Sequence, residues 1–214
     1  MIYHDHTSPE YQQAHGFDQY NGAYYYSVEI VRNIIPRVKT DRPWVTINTH
    51  GQCTDHAVVF IHNNQHQEIY RWLRSYKDLV LVCGLEKTAM KMRAYGRSIY
   101  LPLSIDVAEV EKYKRPAQER SGVCYVGRPM KREGLTFPSG TDFLEGKPRE
   151  ELLRKLSGYE AAYAVGRSAL EAKCLGLDLL PYDRRFPDTS IWQVLGNQEA
   201  AAMLQDKLDE VDKT

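Results

Sequence analysis

No stretch of this 214-residue chain approaches the roughly 20 consecutive apolar residues that a helix needs to cross a bilayer. The opening Met1-Ile2-Tyr3-His4-Asp5-His6 lacks the basic-then-apolar pattern of a secretory signal. Both absences lead us to expect a soluble, cytoplasmic protein. Net charge is absent as well: 28 basic and 28 acidic residues cancel, so no global field holds a polyanion, and only a local anion site is left open. Cysteine is scarce. Cys53, Cys83, Cys124 and Cys174 are scattered and form no C-x-x-C pair, which excludes a disulfide framework and reads as reduced thiols in the core. The seven histidines include no H-x-x-x-H or H-E-x-x-H helix, because Asn63-Asn64 places a turn between His62 and His66. No metal is therefore expected. Low-complexity tracts and internal repeats are also missing, and 43% hydrophobic residues suit a globular chain.

What the chain does contain is a regular alternation of helix-like and strand-like patterns. Tyr24 to Val38 brings Val28, Val31, Ile34 and Ile35 to one helical face. Strands are expected at Val45 to Asn48 and Ala57 to Ile61, followed by a helix from Gln65 to Tyr76 that spaces Ile69, Trp72, Leu73 and Tyr76 along one side. A strand from Leu79 to Cys83, a helix from Glu86 to Tyr95 and a strand from Ile99 to Leu103 come next. Glu109 to Gly122, charged and interrupted by Pro116, reads as a linker. Further strands are expected at Val123 to Val126, Asp142 to Leu144, Ala161 to Val165 and Asp178 to Leu180. A last helix, Gln198 to Val211, carries an apolar stripe of Ala201, Leu204, Leu208 and Val211. The alternation predicts an α/β fold with mostly parallel sheets. We expect two small Rossmann-like lobes, 1–117 and 118–197, and a terminal helix, 198–214, packing back on the first.

Two junctions carry the chemistry. The run Val123 to Val126 ends at Gly127 and delivers Arg128 and Lys131 to a strand's carboxyl end, where open α/β sheets bind ligands. The run Ala161 to Val165 ends at Gly166, and a helix then starts with Arg167 and Ser168, with Glu171 one turn in. Backbone N–H groups and the positive dipole end at a helix start suit an anion. A carboxylate one turn along suits a sugar diol. Together the junctions read as a phosphate clamp and a ribose clamp.

This pairing resembles the C-terminal half of GT-B-fold glycosyltransferases of the retaining, nucleotide-sugar-dependent kind. The matching pieces are Tyr125-Val126-Gly127-Arg128 with Lys131, then Phe143-Leu144-Glu145-Gly146 with Pro148-Arg149-Glu150-Glu151-Leu152-Leu153, then Leu170-Glu171-Ala172 with Gly176. In the first half, Ala57 to Asn63 looks like that family's strand-His-Asn, and Leu103-Ser104-Ile105-Asp106 stands where its "P-x-G-I-D" usually lies. Two features differ. Tyr163 occupies the position of the first of the family's two glutamates, and the segment from Lys131 to Thr141 is too short for a strand-helix unit. The layout is similar to small glycosyltransferase-like proteins encoded by bacteriophages.

The resemblance implies a glycosyltransferase taking a nucleotide diphosphate-sugar as donor, without a metal or other cofactor. The acceptor is left open between protein, glycan and modified DNA, and the oligomeric state is not read. It assigns catalytic roles to Arg128, Lys131 and His62, and donor contacts to Asn21, Gly22, Gly127, Gly166, Arg167, Ser168 and Glu171. Asn21-Gly22, beside the tyrosines Tyr24, Tyr25 and Tyr26, would supply an N-terminal glycine loop. Two other readings stand beside it: a non-catalytic nucleotide or nucleotide-sugar binding protein, and a metal-dependent hydrolase using first-lobe histidines.

Overall fold

A computed structural model describes residues 2–4, 22–47, 53–61, 71 and 73–213. The fold is α/β, with two all-parallel sheets, and by contacts the chain divides into two units.

The first unit gathers Ala23–Leu103 and Asn197–Thr214 with the N-terminal strand. Its sheet runs β1 (Ile2–His4), β2 (Trp44–Ile47), β3 (Val58–Ile61), β4 (Val80–Cys83) and β5 (Arg97–Tyr100), hydrogen-bonded in chain order. Strands β3 and β4 are buried at every position, which is why they read as continuous apolar runs rather than alternating ones. Helix α1 (Gly22–Glu29) continues as a π-helical turn, Ile30–Ile34, and a 3-10 turn, Ile35–Arg37, instead of the single helix expected to Val38. Pro36 lacks the N–H an α-helix needs at this point. Helix α2 (Glu86–Met92) packs along β4 and β5, burying Ala89 and Met92.

The second unit holds Ser104–Gly196 and opens with helix α3 (Val107–Glu111), capped by the Asp106 carboxylate accepting from the Glu109 N–H at 3.0 Å. Residues Ser104 to Ala117, which the sequence pattern assigned to the first lobe, therefore group with the second. The reason is α3, which packs against α5 (Arg167–Leu175) and buries Val110. The expected linker from Glu109 instead holds the end of α3 and a 3-10 turn, Ala117–Glu119.

Four strands follow, β6 (Val123–Val126), β7 (Thr141–Leu144), β8 (Ala161–Tyr163) and β9 (Asp178–Leu180), with α4 (Arg149–Leu156) before β8 and α5 before β9. Their spatial order is β7-β6-β8-β9. Helix α4 buries Leu152, Leu153 and Leu156 at helical spacing, with Glu150 and Glu151 in its first turn and Arg154 and Lys155 in its last, as the helix dipole favours. Helix α5 ends in a Schellman turn: Gly176 takes φ 87°, its N–H reaches the Lys173 carbonyl at 2.9 Å, and the Leu177 N–H reaches Ala172 at 3.0 Å.

The terminal helix α6 (Asn197–Asp212) belongs to the first unit. It buries Ala200, Ala201, Leu204 and Leu208 against the turns Ile30–Ile34 and Ile35–Arg37. Gln205 clamps Lys39 through both backbone groups, at 2.6 and 3.1 Å, and the Arg97 guanidinium donates to the Val211 carbonyl at 2.7 Å. Among the described residues, no helix is long and apolar enough to cross a membrane.

Candidate functional site: the carboxyl edge of the second sheet

In the second sheet the chain first steps outward from β6 to β7 and then returns to the other side of β6 for β8. That reversal is a topological switch point, and in open parallel sheets ligands bind outside the strand carboxyl ends there. The described first sheet runs in chain order and has no reversal. The two loops that flank the switch point are those of Gly127 to Lys131, after β6, and Gly166 to Ser168, after β8.

The β6 loop is shaped by aromatic packing. Tyr125 is fully buried and paired in register with Phe143 on β7 and Tyr163 on β8. Phe137, from the loop that returns to β7, packs against all three, at centroid distances of 5.3, 5.7 and 5.0 Å, and on Tyr182 after β9 at 6.0 Å. Tyr163 adds its ring to the same row, against Phe137 and Tyr182. Gly127 is required by the same packing, because a Cβ there would lie 2.5 Å from the Tyr125 hydroxyl. That hydroxyl donates to the Arg128 carbonyl at 2.9 Å and so fixes the loop.

Arg128 and Lys131 are exposed and bracket a single 3-10 turn, closed by the Lys131 N–H donating to the Arg128 carbonyl at 2.9 Å. Although Lys131 reaches the surface, the protein crowded about its ammonium is the main influence holding it below the ordinary lysine value; the like charges of Arg128 and Arg185 add to this, and Asp183 opposes them.

Across the switch point, Gly166 caps α5 at φ 65° and ψ −137°, a conformation open to glycine alone, with no atom within 4 Å of the position a Cβ would take. No side chain caps the first turn of α5, whose residues Arg167 and Ala169 are buried. Ser168 is buried beside it.

Arg167 and Glu171 are placed differently from expectation. Glu171 has no exposed surface, and its Oε1 accepts from Arg167 Nε at 3.0 Å and from Arg149 Nη2 at 3.1 Å. Arg149 continues to Glu109 at 2.9 Å. Two guanidiniums and two carboxylates thus tie the starts of α4 and α5 to α3, inside the unit. Glu171, expected at the ribose, and Arg167, expected at the donor, are both buried and bonded to one another.

The structure adds a group that the motifs did not single out. Asp183-Arg184-Arg185 follows β9 after Pro181 and Tyr182, whereas Gly127-Arg128 follows β6 directly. Asp183, 8% exposed, accepts from Arg185 Nε at 2.9 Å, from Nη2 at 2.6 Å and from the Arg185 backbone N–H at 2.9 Å. These bonds, first among several influences, hold the Asp183 carboxyl below its usual range, and Lys131 contributes too. The signal in sequence was a strand ending at Leu180 and followed by cations.

Asn21 and His62 lie outside the described residues, and Gly22 is the first residue of α1. Among the described residues, no group of three or more His, Cys, Asp or Glu side chains is arranged to hold a metal ion. An open groove of about 620 Å³ runs beside β7, lined by Ser121, Asp142, Lys147 and Tyr159 among others, and none of the switch-point residues line it. No protein-family model, curated protein or solved structure matches the chain.

Proposed function

We propose that the carboxyl edge of the second sheet binds the diphosphate of a nucleotide-sugar, and that the protein is a glycosyltransferase passing that sugar to an acceptor. One observation carries this reading: the switch point of the β7-β6-β8-β9 sheet falls between the loop bearing Arg128 and Lys131 and the start of α5, which no side chain caps. When the bond from the anomeric carbon to the donor phosphate breaks, negative charge grows on the departing diphosphate. Fixed cations and helix-end N–H groups stabilise that charge more in the transition state than in the ground state. Arg128 brings a planar fork of donors and Lys131 a point charge. The acceptor, whether protein, glycan or modified DNA, is not specified by this edge.

A second reading, a binding protein without turnover, is favoured by Glu171 and Tyr163. The Glu171 carboxylate is buried in ion pairs and the Tyr163 ring is packed in the aromatic row, which supports binding without the two acidic contacts that the resembled glycosyltransferases use. Incubation with a panel of nucleoside diphosphate-sugars, following both binding and slow donor hydrolysis, separates the two. Binding with turnover is the expected result. Binding without turnover of any donor selects the second reading, and absence of binding rejects both.

A further inference from the structure

We infer that Arg185, tethered by Asp183, is a third arm of the anion site, reaching a bound diphosphate from the β9 side while Arg128 and Lys131 reach it from the β6 side. The inference rests on the proposed diphosphate site and adds to it a residue and a positioning partner. Sheet order is the first support: β8 lies between β6 and β9, so the start of α5 is flanked by one loop with Arg128 and Lys131 and by another with Arg185. The aromatic row is the second. Tyr125 packs edge-on against Tyr182 at 5.5 Å and donates to the Arg128 carbonyl at 2.9 Å, so one buried ring holds both loops in place.

Asp183 is the third support. A buried carboxylate that takes both Nε and Nη2 of an exposed arginine fixes the direction of the guanidinium and reduces the rotamer freedom lost on binding. Nη1 has no part in those bonds and is available to a phosphate oxygen. Asp183 is a positioning residue in this scheme, and Arg185 is the contact.

The arrangement also makes the site respond to alkali through Lys131. The charges that act on its ammonium are those of Arg128 on its own loop and of Arg185 and Asp183 on the loop after β9. A lysine held below its ordinary value loses its charge at a lower pH than a free lysine, so anion binding falls on the alkaline side. Removing Arg185 removes a like charge and moves that fall to higher pH. Removing the Asp183 charge moves it to lower pH.

The test is titration calorimetry of the full chain with inorganic pyrophosphate, from neutral to alkaline pH, on wild type, Arg185→Ala, Asp183→Asn and, as a control, Arg184→Ala. Arg184 is exposed and removes the same charge from outside the tether. We expect Arg185→Ala to weaken pyrophosphate by about tenfold or more, the size of one charge-assisted bond. Arg184→Ala should cost less than about threefold, and the alkaline limb should move up for Arg185→Ala and down for Asp183→Asn. Equal losses for Arg185→Ala and Arg184→Ala, or an alkaline limb that stays in place in both loop variants, overturn the third arm and leave the transferase proposal standing. Pyrophosphate binding with the expected pattern but no turnover of any nucleotide-sugar rejects the transferase and keeps the arm. A wild type that does not bind pyrophosphate overturns the arm.

Discussion

A methyl group on Gly127 would sit 2.5 Å from the hydroxyl of Tyr125, a buried tyrosine whose ring is held by Phe137, Phe143 and Tyr182. Gly127→Ala should therefore destabilise the protein by about 1–3 kcal/mol through overpacking, and weaken diphosphate binding because the same tyrosine fixes the Arg128 carbonyl. Denaturant titration and calorimetry on that variant check both parts; unchanged stability would show that the ring gives way. At Glu171 the loss should fall on folding. Glu171→Ala leaves the buried guanidiniums of Arg149 and Arg167 without their common carboxylate, and breaking such a pair costs about 3–5 kcal/mol. Thermal and denaturant unfolding measure it. A stable variant with lost nucleotide affinity would return Glu171 to the ribose role that the Leu-Glu-Ala motif suggested. That role was legible as a pattern, but burial was not, because one glutamate at the start of a helix reads the same whether it meets solvent or two arginines.

Strands and helices were legible wherever burial on both faces produced unbroken apolar runs or helical stripes. Val123–Val126 falls at its expected position for that reason, whereas Asp178–Leu180 falls where expected although none of its residues is buried. Helix α3 was not legible: five residues, Val107–Glu111, with one buried valine leave too short a stripe, and the charges around them resemble a linker. The anchoring of α6 was legible only in part. Its apolar stripe was plain, but its ion pairs join residues far apart in sequence. Arg42 reaches Asp212 on α6 at 2.8 Å and Asp78 at 3.1 Å, while Asp78 also holds Arg97 and His56. His56 and Asp78 both take positive φ, 58° and 54°, a conformation that Asp and Asn tolerate better than most residues. The His56 hydrogen bond, then Arg42 and Arg97, hold the Asp78 carboxyl at about 2, against 3.8 ordinarily. A depressed carboxyl contributes stability above its unfolded value and loses it as pH falls through the folded one. Asp78→Asn keeps the backbone but not the charge, so the wild-type advantage in Tm should be full above about pH 4 and fade towards about pH 2. A gap that is constant across this range would mean the carboxylate does not anchor the end of α6 through its charge.

For the molecule as a whole, neutrality and sheet order work together. With 28 charges of each sign there is no general attraction for anions, so any anion affinity has to come from a built site. The described part offers one edge where parallel strands reverse their order, and cations gather there from two loops around a helix start. The measurement that tests this most directly is binding of a nucleoside diphosphate, by calorimetry, to wild type, Arg128→Ala and Lys131→Ala, with Tm recorded for each. Both side chains are exposed, so their removal should shift stability by under about 0.5 kcal/mol. Each should weaken the diphosphate by about tenfold or more, the size of a lost charge-assisted bond. Unchanged affinity in both variants at unchanged Tm would contradict a diphosphate site at the carboxyl edge of the second sheet.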